Sequence, residues 1–205
     1  MSKRSARHSL ARIFLAMTGW KPDGARPEPN HYVLIAAPHT SNWDFPYLIA
    51  FAWLYRIQIS WMGKDRLFRR PFGTLMRALG GIAVRRDQRE NLVMAMARAF
   101  DDYEEMALVV PAEGTRSRVE HWKSGFYHIA TTAGVPIVMS YLDYTRKVGG
   151  FGPVLHPTGD ARDDMEAIRT FYSNKQGKYP QLFGRPQLLE EEVEPDPTSG
   201  IKPTV

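Results

Sequence analysis

From Tyr32 onward the chain alternates short apolar segments with longer segments of helical spacing, and this alternation restricts the fold more than any other feature. Tyr32 to Ala37 (YVLIAA) reads as a buried strand and Trp43 to Tyr55 as an apolar helix. Gln58 to Met62 follows as a second strand, Pro71 to Leu79 as a short helix and Gly81 to Val84 as a third strand. Asp87 with Glu90 has the form of a capping box for a helix reaching about Tyr103. A fourth strand at Met106 to Val110, a helix at Ser124 to Ala133 and a fifth strand at Pro136 to Leu142 come next. A last helix follows Asp160 and runs to Tyr172. Strands separated by helices predict an α/β fold: a mixed, mostly parallel central sheet flanked by helices on both faces.

A length of 205 residues suits one domain, placed at residues 30–182. Ahead of it, residues 1–20 have the spacing of an amphipathic helix, with Leu10, Ile13, Phe14 and Met17 on one face and Lys3, Arg4, Arg7 and Arg12 supplying charge. Such a helix either lies on a membrane surface or packs on the domain with its basic face in water. The uncharged run Ile13 to Met17 is too short for a secretory core or a transmembrane helix. Residues 186–205 carry Glu190, Glu191, Glu192, Glu194 and Asp196 beside Pro197, Ser199 and Gly200, and are expected to be a disordered acidic tail.

The net charge of +5 points to anionic partners: a phosphorylated ligand, an anionic membrane surface or nucleic acid. The absence of cysteine excludes disulfides, thiolate metal sites and a cysteine nucleophile. The histidines show no metal-ligand spacing, so no metal is expected. Phe45 to Tyr55 reads as a buried helix, followed by Arg56, Lys64, Arg66, Arg69 and Arg70 interleaved with Trp61, Leu67, Phe68 and Phe72. That mixture fits a surface resting on anionic lipid. It would equally serve a basic nucleic-acid-binding module without enzymatic activity, the alternative reading; against it, the basic residues are scattered and form no nucleic-acid-binding motif, and no nucleic acid is expected as partner.

In open α/β sheets, ligands gather beyond the carboxyl ends of the strands. Three loops in that position are chemically loaded. The first, His39-Thr40-Ser41-Asn42-Trp43-Asp44, pairs a potential base with a carboxylate able to orient it. Taken alone, the same two residues also fit a structural pair, with Asp44 capping the next helix. The second, Ala112-Glu113-Gly114-Thr115-Arg116-Ser117-Arg118, has the glycine, hydroxyls and arginines of a phosphate site, with Lys123 nearby; it also fits a solvated basic turn. The third, Gly80 to Arg86, ends in two adjacent arginines, of which strand alternation lets only one face a given site. Ser41 and Ser117 lie in no G-x-S-x-G elbow, which argues against a serine nucleophile.

The runs HTSNWD, GGIAVRR, AEGTRSR with WKSGFYHIA behind it, and VPIV at Val135 to Val138 occur in the order of the four motif blocks of the phospholipid and glycerol acyltransferase family, which the chain resembles from Tyr32 to Asp143. The resemblance implies a fatty acyl transfer from a thioester to a lysophospholipid or glycerol-phosphate hydroxyl. In it His39 deprotonates the acceptor and Asp44 orients His39. It further implies that Arg86, Glu113, Gly114, Thr115, Arg116 and Lys123 bind substrate, with Gly125 matching the glycine that follows. Acyl-CoA or acyl-ACP is then the co-substrate and no other cofactor is required. A lipid acceptor, an anionic membrane surface and an acyl carrier protein are the implied partners, at the cytoplasmic inner face of the membrane. A non-phosphorylated lipid or metabolite acceptor would use the same chemistry. Three departures bear on the substrate: Ala83 stands where the family often has phenylalanine, implying a wider site floor; Ala112 separates Pro111 from Glu113; and Met139 replaces a common proline.

Overall fold

A computed structural model of the chain describes residues 3–84 and 89–192. Its centre is a seven-stranded sheet in the order β1-β7-β6-β2-β5-β3-β4. The strands are β1 (Lys21–Asp23), β2 (His31–Ala36), β3 (Ile59–Lys64), β4 (Gly81–Val84), β5 (Met106–Val110), β6 (Ile137–Asp143) and β7 (Val148–Leu155). All neighbours run parallel except β6 and β7, which form an antiparallel pair. The expected mixed, mostly parallel sheet is therefore present.

Period-two alternation divides the core between the two faces. Val33 and Ile35 of β2, Met106 and Leu108 of β5 and Ile137 and Met139 of β6 point to one side. There they meet α4 (Arg89–Ala99), α5 (Gly125–Ala133) and α6 (Ala161–Tyr172) through Met96, Phe126, Ile129, Met165 and Ile168. Tyr32, Leu34, Ala107, Val109 and Val138 point to the other side, against Ile49 and Ala52 of α2 (Asp44–Leu54). The apolar α2 is covered in turn by α1 (Lys3–Thr18), whose Ala11 and Leu15 pack with Trp20 on Tyr47, Ala50 and Phe51. A short helix, α3 (Gly73–Ala78), precedes β4.

Four expectations change. The N-terminal helix forms, but Ala11 and Leu15 are its buried positions, while Leu10, Ile13 and Met17 are 57%, 58% and 83% exposed. Much of the apolar stripe thus faces outward. Strands β1 and β7 were not expected, and the reason for missing β7 is its sequence, VGGFGPVL, which lacks the β-branched and aromatic run of a strand. Its glycines answer close neighbours: a Cβ on Gly149 would lie 2.4 Å from the Phe51 ring, and one on Gly150 would lie 1.7 Å from the Asp23 carbonyl oxygen. The first part of the tail packs on the domain: Leu188 is buried, the Gln187 carbonyl accepts from the Trp122 backbone N–H (2.7 Å) and Glu191 pairs with Arg169. Residues 193–205 lie outside the described residues, as do Asp87 and the start of its capping box. Finally, Trp61 and Phe68 from the basic, aromatic stretch pack on each other, leaving Leu67 and Phe72 as its exposed apolar residues.

The register of α1 is testable by urea denaturation. Leu15→Ala should cost about 2–5 kcal/mol by opening a cavity against α2. Leu10→Ala should change stability by no more than about 0.5 kcal/mol.

Candidate active site

The loops after β2, β5 and β6 lie side by side because these strands are sheet neighbours. The HTSNWD loop is folded around one carboxylate. Asp44 opens α2 yet does not cap it: its Oδ2 accepts the Thr40 and Ser41 backbone N–H groups, both at 2.9 Å, and the ring Nδ1 of His39 at 3.1 Å. Its Oδ1 accepts the Tyr144 hydroxyl at 2.7 Å. Only 6% of Asp44 is exposed. The pairing at Nδ1 leaves Nε2 of His39 as the ring atom able to take a proton from a ligand.

Glu113 supports the same loop from below. Both its carboxylate oxygens lie within reach of the His39 backbone N–H, at 3.0 and 3.1 Å, and the residue is buried. Burial pushes its pKa from 4.5 up to about 7, against the smaller opposing effect of the His39 N–H and ring. Glu113 faces His39 and does not line the cavity beside it.

That cavity has a volume of about 1120 Å³, somewhat larger than most small-molecule sites. Its inner wall is apolar, formed by Leu34, Ile59 and Val109 of the sheet and Phe45, Leu48 and Ala52 of α2. His39 and Asp44 also line it, together with Gly114, Thr115, Arg116 and Lys123. Gly114 has φ +69°, and a Cβ there would lie 3.0 Å from Lys123 Cγ, so glycine lets the two segments close on each other. Arg116 makes no salt bridge among the described residues, and its side chain lines the cavity. Among those residues, no group of three or more His, Asp or Glu is arranged to hold a metal ion.

Of the expected site residues, His39, Asp44, Gly114, Thr115, Arg116 and Lys123 are thus gathered at one cavity, with Glu113 just behind it. Arg86 and its neighbour Arg85 lie outside the described residues. Ala83 is exposed and does not line the cavity, so its small side chain does not widen the floor. Buried Met139 belongs to the core on the opposite face of the sheet. The sequence reading missed Tyr144 and the segment around Tyr179, whose backbone N–H donates to Thr40 Oγ1 at 3.2 Å. The signal for Tyr144 is its place directly after β6, but that becomes informative only once β6 is known to adjoin β2.

The buried Glu113 predicts a pH dependence of stability. In the unfolded chain it ionises from pH 4.5, whereas in the folded protein it holds its proton to about pH 7. The folded state therefore binds more protons between these values, and this group's contribution to stability falls as pH rises through that window. Glu113→Gln should flatten this decline by on the order of 2–3 kcal/mol, measured by urea unfolding at both ends of the window.

A family model described as Acyltransferase matches residues 22–142. The fold resembles the crystal structure of the 1-acyl-sn-glycerophosphate (LPA) acyltransferase PlsC from Thermotoga maritima, with a TM-score of 0.59 and 16% sequence identity over 83% of this chain and 75% of that one. No curated protein shows significant similarity to the sequence. Because the family match spans more than half of its 205 residues and carries the ordered loops just described, the chain belongs to the acyltransferase family.

Proposed function

We propose that this acyltransferase moves a fatty acyl group from an acyl thioester to the hydroxyl of a lysophospholipid or glycerol-phosphate acceptor, with His39 as general base. The observation that carries this reading is the composition of one cavity. An apolar interior suited to an acyl chain, the His39–Asp44 pair, and the Thr115, Arg116 and Lys123 side chains suited to a phosphate all line it. The Thermotoga maritima protein of similar fold is an LPA acyltransferase, which agrees with an acceptor of that kind.

In the proposed reaction, Nε2 of His39 removes the acceptor's hydroxyl proton as its oxygen attacks the thioester carbonyl carbon. The C–O bond forms, the C–S bond breaks, and the imidazolium returns its proton to the departing thiolate. Asp44 holds the tautomer and stabilises the imidazolium. Arg116 and Lys123 fix the acceptor phosphate, so that the hydroxyl is presented to His39 rather than found by diffusion. The thioester, on coenzyme A or an acyl carrier protein, is a co-substrate, and no further cofactor takes part.

Work at a membrane surface follows from the nature of the acceptor. No helix among the described residues is long and apolar enough to cross a membrane. The outward Leu10, Ile13 and Met17 of α1 instead provide a peripheral contact, joined by exposed Leu67, Phe72 and Leu75. Arg7 links the two groups, since its guanidinium donates to the Ala78 carbonyl at the end of α3 (3.5 Å). Leu67 also lines the cavity, which brings the acyl site next to that surface. The inner, anionic leaflet matches the net charge of +5.

Assays with one acyl thioester and a panel of acceptors test the chemistry. His39→Ala should lower turnover roughly 10²- to 10⁴-fold without unfolding the protein. Arg116→Ala should raise the KM for a phosphorylated acceptor about tenfold or more, leave the donor KM unchanged, and have little effect on an acceptor without phosphate. Equal losses on both acceptors would remove Arg116 from the phosphate site.

Vesicle sedimentation tests the location. The protein should bind anionic vesicles and be released by salt. Replacing Leu10, Ile13 and Met17 together by Ser should weaken partitioning about tenfold or more with no loss of folding stability.

A further inference from the structure

One of the four donors to Asp44 comes from outside both motif loops. Tyr144 follows β6 directly, and its hydroxyl donates to Asp44 Oδ1 at 2.7 Å, the oxygen that the HTSNWD loop leaves free. The position of that hydroxyl is set by packing. The Tyr144 ring meets Trp20 edge-on at 4.9 Å and 88°, and Tyr47 at 6.1 Å and 89°. Its backbone N–H donates to the Gln176 carbonyl at 2.9 Å. Trp20 belongs to the segment after α1 and Gln176 to the segment after α6, so neither support depends on the catalytic loop.

We infer that Tyr144 is a positioning residue for the His39 base: its hydroxyl fixes the plane of the Asp44 carboxylate and takes up part of its negative charge. The inference rests on the reading of His39 as general base. Burial and the adjacent Asp44 carboxylate push the Tyr144 pKa far above the ordinary tyrosine value, so the phenol stays a donor throughout the working pH range. The other ionisable groups facing this cluster are Glu113 beneath His39, Tyr47 and Tyr179 near Tyr144, Lys178 over the Trp43 ring, and Arg116 and Lys123 in the cavity. Among the described residues, Tyr144 and His39 are the side chains that donate to Asp44.

The direction of the effect follows from charge. Without the phenol, more negative charge remains on Asp44, which favours the imidazolium form of His39. A base works only when neutral, so the acid limb of the pH–rate profile moves to higher pH. The less firmly oriented carboxylate also lowers the plateau rate.

The experiment compares wild type with Tyr144→Phe, which keeps the packed ring, and with Tyr47→Phe, which removes a hydroxyl from the same aromatic cluster without touching Asp44. The His39 titration is followed by NMR of the imidazole resonances, assigned by their loss in His39→Gln, and needs no substrate. Tyr144→Phe should raise the midpoint by about half a unit or more, and Tyr47→Phe should leave it in place. With an acyl thioester and lysophosphatidic acid, the acid limb should move by the same amount. The plateau kcat should fall about tenfold and the acceptor KM should stay within about twofold. In an Asp44→Asn background, Tyr144→Phe should produce no further shift. A lower Tm with an unmoved His39 titration would reduce Tyr144 to a packing residue and overturn the inference, as would an equal shift in Tyr47→Phe. If the wild type acylates no acceptor, the proposed reaction fails, whereas the NMR titration still decides the role of Tyr144.

Discussion

The placement of β2 between β5 and β6, parallel to both, is the constraint on which the rest of the structure depends. A strand buried on both faces must have helices above and below it and neighbours on each edge, since its backbone groups have no water to pair with. Satisfying that condition brings the carboxyl ends of β2, β5 and β6 together. The loops holding His39, Thr115 and Tyr144 come from distant parts of the chain and meet there for the same reason. The site is a by-product of how the central strand is satisfied.

Within the site, two carboxylates share one histidine and have different tasks. Asp44 accepts four donors, two of them backbone N–H groups of its own loop, and thereby sets the loop's shape as well as the orientation of the ring. Glu113 accepts the backbone N–H of His39 and ties the first loop to the second. A buried group with so few donors keeps its proton to a higher pH, which accounts for its raised pKa. The glutamate of the AEGTRSR run is thus a link between loops, while Thr115 and Arg116, one turn further on, line the cavity.

The apolar α2 connects this chemistry to α1, the helix proposed to meet lipid. One of its faces closes the cavity over the sheet, and another packs on α1 through Tyr47, Ala50 and Phe51. Helix α1 packs on α2 through Ala11, Leu15 and the partly buried Phe14, and its remaining apolar residues Leu10, Ile13 and Met17 are left outward. An exposed apolar row of this kind has a cost in water that contact with a bilayer removes.

The local signals in the sequence determined the α/β alternation, since five strands and their intervening helices are marked by apolar runs and turn residues that act within a few positions. They also determined the His39–Asp44 pair and the Gly114 to Arg116 turn, because each is formed by neighbours in the chain. Only the tertiary structure decided what depends on distant partners. Glycine-rich β7 is a strand because Phe51 and Asp23 press against it, and Leu188 is core because Trp122 draws the tail inward. Leu15 rather than Leu10 is buried because of where α2 lies. Tyr144 reaches Asp44 across 100 residues because β6 pairs with β2. Periodicity reports which side chains share a face, but which face is covered, and by what, is set by contacts that no local window of sequence contains.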